Sequence, residues 1–258
     1  MEPSETIVLS RSQRLHRDLG AVIASAKPGE RLPSEPELAK RLGVSRATLR
    51  EAMRTFETQG LIRRKQGSGT YVSHPSAVIK TGLETLESLE TLARRIGLEV
   101  TLGAWQLERR PSTEEECQAL NLNDGCEVVV VTRVMHAEDR PVAYLVDILP
   151  TEVMSPEEVK TAFTGSVLDL LLAREDLTLN SSHTEINAVN ASPEVARAMG
   201  IQRGDVLLRL IAHLYTSDER VVAYSHSYFL PGYFHFHLIR RVGDPSAPTA
   251  GQYHNNHK

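Results

Sequence analysis

The amino-acid sequence predicts an α+β protein in which a small helical head precedes a larger body built mainly of antiparallel strands. Three observations carry that reading. Residues 1–74 hold 13 Lys and Arg against 8 Asp and Glu, whereas residues 75–258 hold 16 against 25, so a basic head sits on an acidic body. Apolar residues recur at helical spacing from Leu15 to Phe56. From about residue 98 the pattern changes to period-two or continuous β-branched runs, in VTLGAWQLERR, GCEVVVVTRVMHA and PVAYLVDILP.

Taken in order, the head reads as three helices. Leu15, Leu19, Val22 and Ile23 form the apolar stripe of the first, which Lys27-Pro28-Gly29 ends in a turn. Ser34 followed by Glu37 is a capping-box pattern, Pro36 falls in the first turn where no intrahelical donor is needed, and Leu38, Ala39 and Leu42 give the second helix its buried side. Gly43 closes it. Ser45 is the natural N-cap of a third helix, with Leu49, Ala52, Met53 and Phe56 at i, i+3, i+4 and i+7 before Gly60. Two helices flanking a turn of about three residues make a helix-turn-helix.

If that stripe faces inward, Arg46, Arg50 and Arg54 stack on the outward side one turn apart, with Thr48 beside them. Such a face suits a DNA major groove: arginine can read guanine bidentately, threonine offers a methyl or hydroxyl to a base edge, and the capping serine and free amides of the first turn suit a phosphate. Leu61 to Lys65, the turn Gln66-Gly67-Ser68-Gly69 and Thr70 to Val72 then read as a hairpin with a basic tip, a wing. The glycines are not a nucleotide loop, because no GxxxxGK[ST] or strand-to-helix turn accompanies them.

The run PGERLPSEPELAKRLGVSRATLREAMRTFETQGLIRRKQGSGTYV resembles the winged helix-turn-helix of the GntR transcription-factor family over nearly the whole motif. The resemblance implies DNA contact by Ser45, Arg46, Thr48 and Arg50, and by Gln66 and Gly67 in the wing; Ser34, Glu35, Arg54 and Lys65 are counted with them as DNA-facing candidates. Pro36 departs from the pattern, since the family often has a DNA-contacting arginine directly after the Ser-Glu pair.

Residues 75–97 carry Leu83, Leu86, Leu89, Leu92, Ala93 and Ile96 at roughly helical spacing, which predicts a linker helix. Beyond the strands already quoted, SVLDLLLARE and SPEVARAMG read as helices, while VLLRLIAHLYT, VVAYSHSYFL and YFHFHLIRR return to strands. The body repeats itself: residues 119–150 align with 198–231, glycine on glycine at Gly125 and Gly204 and Val-Ala-Tyr on Val-Ala-Tyr at Tyr144 and Tyr224. Two symmetry-related halves in one sheet, or two hairpins alike because amphipathic hairpins are, both fit that alignment.

From about residue 90 to 241 the body resembles the UTRA effector-binding domain of the HutC branch of that family, which has a chorismate-lyase-like fold. The resemblance implies a small-molecule effector, and Arg133, Ser166 and Tyr228 stand where the family commonly contacts a ligand. Met135, Leu145 and Ala223 stand where sugar-phosphate-binding members often have an arginine and two glutamates. That departure predicts a less polar effector, with a carboxylate facing Arg133 and aromatic contact from Tyr144, Tyr224 or Tyr228, since unmatched polar groups are costly in a site.

The expected division is 1–74 for the DNA-binding head, 75–97 for a partly helical linker, 98–241 for the effector and dimerisation domain, and 242–258 for a Pro/Gly/Ser/Asn-rich disordered tail. The resulting reading is a ligand-responsive regulator, most simply a repressor, acting as a homodimer on double-stranded operator DNA. The alternatives are a lyase-like enzyme fused to a DNA-binding head and a sequence-independent architectural DNA binder. No cofactor is expected. His226, His235 and His237 lack carboxylate or cysteine partners at ligand spacing, so no metal is expected; Cys117 and Cys126 lack CxxC spacing; and Ser166, Asp169 and His183 lack a GxSxG elbow, so no catalytic residue is assigned. No apolar run approaches the roughly 18–20 residues that span a bilayer, and the N-terminus lacks a signal-peptide pattern, which predicts a cytoplasmic protein with no membrane partner.

Overall fold

The computed structural model describes residues 10–58, 60–65, 68–73, 79–95, 99–123, 125–137 and 140–239. Gln66 and Gly67 at the wing tip, the side chain of Lys65, Ile96 and the tail 242–258 lie outside the described residues.

The head comprises α1 (Arg11–Ser25), α2 (Glu35–Leu42), α3 (Arg46–Thr58) and the wing strands β1 (Ile62–Lys65) and β2 (Gly69–Val72). Each boundary has a local cause. Ser10 and Gln13 exchange hydrogen bonds at the start of α1. At α2 the Glu37 carboxylate reaches back to the Ser34 amide at 2.9 Å and hydroxyl at 2.7 Å. Gly43 ends α2 in the left-handed conformation, φ 65°, which glycine adopts without a Cβ penalty. The helices enclose one core of Leu15, Leu19, Ile23, Leu38, Ala39, Leu49, Ala52, Met53 and Phe56, closed by Ile62 and Val72 from the wing. Leu19, Leu38, Leu49 and Met53 are fully buried, as the apolar spacing predicts.

The region between head and body is not one continuous helix. Ile79–Gly82 is a strand, β3, paired in parallel with β10 (Phe234–His237), and among the described residues of this region Leu89–Arg95 is helical, α4. Gly82 and the β-branched Ile79 and Thr81 are poor helix residues, and Leu86, counted in the apolar stripe, is 48% exposed. Among the described residues of that stripe, Leu89 and Ala93 are buried, against Met135, Ala143, Leu145 and Phe229.

The body is a six-stranded antiparallel sheet in the order β4-β5-β6-β9-β8-β7. Its strands are β4 (Val100–Pro111), β5 (Glu127–Ala137), β6 (Arg140–Pro150), β7 (Leu179–Asn190), β8 (Val206–Thr216) and β9 (Val221–Phe229). Helix α5 (Glu114–Leu120) lies between β4 and β5, and α8 (Pro193–Met199) between β7 and β8, while α6 (Pro156–Ala162) and α7 (Val167–Leu172) join the halves. Strand, helix and hairpin therefore occur twice, and the repeat in the sequence is a structural one. A two-fold that exchanges Tyr144 with Tyr224 carries the register pair Tyr144–Tyr228 onto Tyr224–Ile148, both of which are observed where β6 meets β9. Helices α5 and α8 cover one face, where Tyr144 and Tyr228 pack on α8 and Tyr224 on α5. Helices α4, α6 and α7 and strand β10 cover the other.

Candidate functional site

On α3 the buried Leu49 and Met53 turn the opposite side of the helix to solvent, where Arg46, Thr48 and Arg50 stand exposed. The Ser45 hydroxyl accepts from the Thr48 amide at 3.1 Å and lies 2.8 Å from the Thr48 hydroxyl, so the cap also orients the threonine. Arg50 donates from Nε to Glu35 at 2.6 Å, and Arg64 of β1 approaches the same carboxylate at 3.9 Å and Glu57 at 3.6 Å. Glu35 therefore acts on two arginines, one on the recognition helix and one on the wing. It fixes the direction of Arg50 and ties the wing to the recognition helix.

Arg54, on the same outward row, is held by a partner in the body. Its guanidinium lies 2.8 Å from Asp205, in the turn before β8, with 24% and 14% of the two side chains exposed. Beside it Arg140 reaches Glu57 at 3.2 Å, and the Tyr233 ring lies where a Cβ on Gly60 would meet it at 3.1 Å. The third turn of the outward arginine row thus belongs to a junction with the body, and the first two turns stand exposed. The periodicity places all three arginines on one face, but nothing in it marks where the body docks.

In the body, the five residues expected to share an effector pocket do not come together. Tyr144, Tyr224 and Tyr228 are on the face under α5 and α8, and the first two donate their hydroxyls to Glu194 at 2.7 Å and Glu115 at 2.9 Å. Burial, then those carboxylates, push both phenols well up, so they stay neutral donors. Arg133 and Ser166 lie on the opposite face, because Arg133 pairs in register with Leu145 while Tyr144 pairs with Val134. One residue of register sends a side chain through the sheet, and the three tyrosines are thereby separated from the arginine.

Around Arg133 the structure assembles a polar cluster that the expected apolar pocket lacked. Arg133 forms a buried ion pair with Asp147 and lies 5.9 Å over the Phe163 ring, which in turn meets Trp105 at 4.9 Å. Asp147 accepts from Ser225 at 2.6 Å. Ser88, just before α4, donates to Asp169 of α7 at 2.9 Å, and Ser166 caps α7 by accepting from the Asp169 amide at 3.0 Å. Glu90 of α4 is pushed up in pKa by burial, with Asp169 and Asp147 adding to the shift and Arg133 opposing it. Met135 and Leu145 are core residues under α4 and Ala223 under α7, so their apolar character reports packing and does not describe the cluster beside them. Asp147 has a signal in the sequence, a lone acid inside PVAYLVDILP; Glu90 has none among the other glutamates of its segment.

No group of three or more His, Cys, Asp or Glu residues able to hold a metal ion occurs among the described residues. No described helix is long and apolar enough to cross a membrane.

Comparison with known proteins matches both parts. Residues 96–235 match the UTRA domain, and residues 12–72 match the bacterial regulatory proteins of the gntR family. An HTH-type transcriptional regulator of Mycobacterium tuberculosis is 31% identical over 209 residues, covering 77% of this chain and 74% of its own. The HTH-type transcriptional repressor NagR of Bacillus subtilis is 27% identical over 203 residues, 79% of this chain and 82% of its own. The crystal structure of PhnF from Mycobacterium smegmatis superposes with a TM-score of 0.60 at 20% identity over 89% of this chain and all of that one, a likeness of fold. These relatives are regulators, and the enzyme alternative gives way to them. The chain belongs to the GntR family of bacterial transcriptional regulators, with a winged helix-turn-helix for DNA and a UTRA domain for a small-molecule effector.

Proposed function

We propose that the protein is a repressor that binds a pseudo-palindromic operator as a homodimer, with residues 1–74 as the DNA-binding unit, 98–241 as the effector and dimerisation unit, and 75–97 between them. The observation that carries the DNA reading is the exposure of Arg46, Thr48 and Arg50 on the side of α3 opposite its buried stripe. Inserted in a major groove, Arg46 and Arg50 supply bidentate base contacts, and the cap and first-turn amides meet phosphate. A single head touches few phosphates; a second head held at fixed spacing supplies affinity by effective concentration.

Arg46 pairs with no described residue, so its truncation removes a contact with DNA and little else. Arg46→Ala should weaken binding to an operator selected from random-sequence DNA by about 1–3 kcal/mol, and binding to random DNA far less. Fluorescence anisotropy on both DNAs measures this. Equal losses on the two would point to an architectural binder without base readout.

The effector reading places the ligand at the Arg133 face of the sheet, between α4 and α7. Response to it reaches the head through the junction of α3 with Asp205 and Arg140, which grips the recognition helix by its C-terminal half. A double-mutant cycle of Arg54→Ala and Asp205→Ala, read by urea unfolding, should give a coupling of about 0.5–1 kcal/mol, as for a partly buried contacting pair. Strictly additive losses would mean that head and body are not docked in solution.

A further inference from the structure

We propose that the effector is an organic cation carrying a neutral oxygen, its positively charged nitrogen paired with Glu90 and its oxygen facing Arg133. This rests on the Arg133 face being the effector site. Most polar groups of that cluster already have partners, and the two that do not define what a ligand must bring.

The Arg133 side chain is 7% exposed, and its Nη1 is committed to Asp147, whose other oxygen is taken by Ser225. Asp169 is held by Ser88 and sits on the capped first turn of α7. Two polar atoms in this cluster are buried without a hydrogen-bond partner among the described residues: Arg133 Nε, a donor, and Glu90 Oε1, an acceptor. Buried polar atoms are rarely left unpaired, because each forfeits its hydration without replacement. A ligand that supplies one donor and one acceptor satisfies both.

Charge decides the sign of that ligand. One guanidinium faces three carboxyl groups here, from Glu90, Asp147 and Asp169. The Arg133–Asp147 pair is internally neutral, so an anionic ligand would add its charge to Glu90 and Asp169 with no cation to spare. A cation restores balance, and the Phe163 ring with Trp105 against it offers an apolar wall on the Arg133 side. Gly165 leaves room for the carboxylate itself, since a Cβ there would stand 2.9 Å from Glu90 Oε1. Glycine at 165, with φ 127°, therefore both permits the turn and accommodates Glu90.

The test uses the full-length protein and thermal shift with concentration series of three cations that each carry a neutral oxygen, tyramine, ethanolamine and 4-hydroxybenzamidine. The anions 4-hydroxyphenylacetate, benzoate and inorganic phosphate serve as counterparts. At least one cation should raise Tm in the wild type in a saturable way, with the shift lost in Glu90→Gln and weakened in Arg133→Met. The Gln variant also carries an independent readout. An acid whose folded pKa is raised loses stability as pH rises above its unfolded value, so ligand-free Glu90→Gln should melt higher than wild type at pH 7 and match it near pH 4. That result shows the variant to be folded and Glu90 to be the uncompensated group. Saturable binding of an anion that survives Glu90→Gln and fails in Arg133→Met overturns the cationic class and leaves the site in place. Binding unaffected by either substitution overturns the site as well. Absence of any cation response up to about 10 mM, roughly the weakest binding worth 3 kcal/mol, overturns the class.

Discussion

Leu49→Ala is expected to cost about 2–5 kcal/mol and to unfold the head while the sheet body stays folded. Leu49 is fully buried on α3, facing the core that α1, α2 and the wing share, and its neighbours Ala52, Met53 and Phe56 lie on the same stripe. Truncation leaves a cavity that a core of three helices and a two-stranded wing cannot close by relaxation. For a domain of this size each kcal/mol lowers Tm by about 4–8 °C, so the head transition should fall by at least some 8 °C. Operator binding should fall with it at temperatures above the new transition, whereas the effector-binding response should persist. Differential scanning calorimetry with paired anisotropy measurements separates the two. A loss below about 1 kcal/mol with operator affinity intact would mean that α3 is not packed by this face, and the assignment of Arg46 and Arg50 to the DNA side would fall with it.

The same residue explains why the head is legible in the sequence. In a helix the stripe Leu49, Ala52, Met53 and Phe56 determines the exposed side by exclusion, and the caps at Ser34, Gly43 and Ser45 are local hydrogen-bonding chemistry written within four residues. The strands of the body and its internal repeat are legible for the same reason, since alternation and turn glycines are short-range signals. What short-range signals do not carry is which distant group answers a given side chain. Arg54 has the same spacing as Arg46 and Arg50, and only the chain fold brings Asp205 to it. Ile79–Gly82 reads as the start of a helix because its partner, Phe234–His237, lies some 150 residues away along the sequence. The effector face turns on a finer point. Tyr144 and Arg133 are on neighbouring strands, but their faces depend on register, and register differs between the two by a single residue.

Breaking the Arg133–Asp147 pair should be among the most destabilising single changes in the body, and removing both partners among the mildest. The pair is nearly sealed, with 7% and 15% of its side chains exposed. Asp147→Ala would strand the guanidinium beside Phe163 with no carboxylate on its Nη1 and would leave the Ser225 hydroxyl without its acceptor. The expected loss is about 3–5 kcal/mol. Arg133→Met with Asp147→Leu replaces the ions by side chains of similar bulk on a face already lined by Val129, Val131, Leu145 and Leu149, and should be neutral or stabilise by about 1–4 kcal/mol. With the arginine gone, the cation that opposes the rise in the Glu90 pKa is lost, so burial with Asp169 beside it holds that pKa up. Urea unfolding of the two variants measures the contrast, and effector response should be lost in both. A double variant as unstable as the single one would mean that the ion pair is needed for the sheet to pack. A stable but unresponsive double variant would mean that the protein keeps two buried charges at this place for the ligand, at a cost in stability that the fold alone does not require.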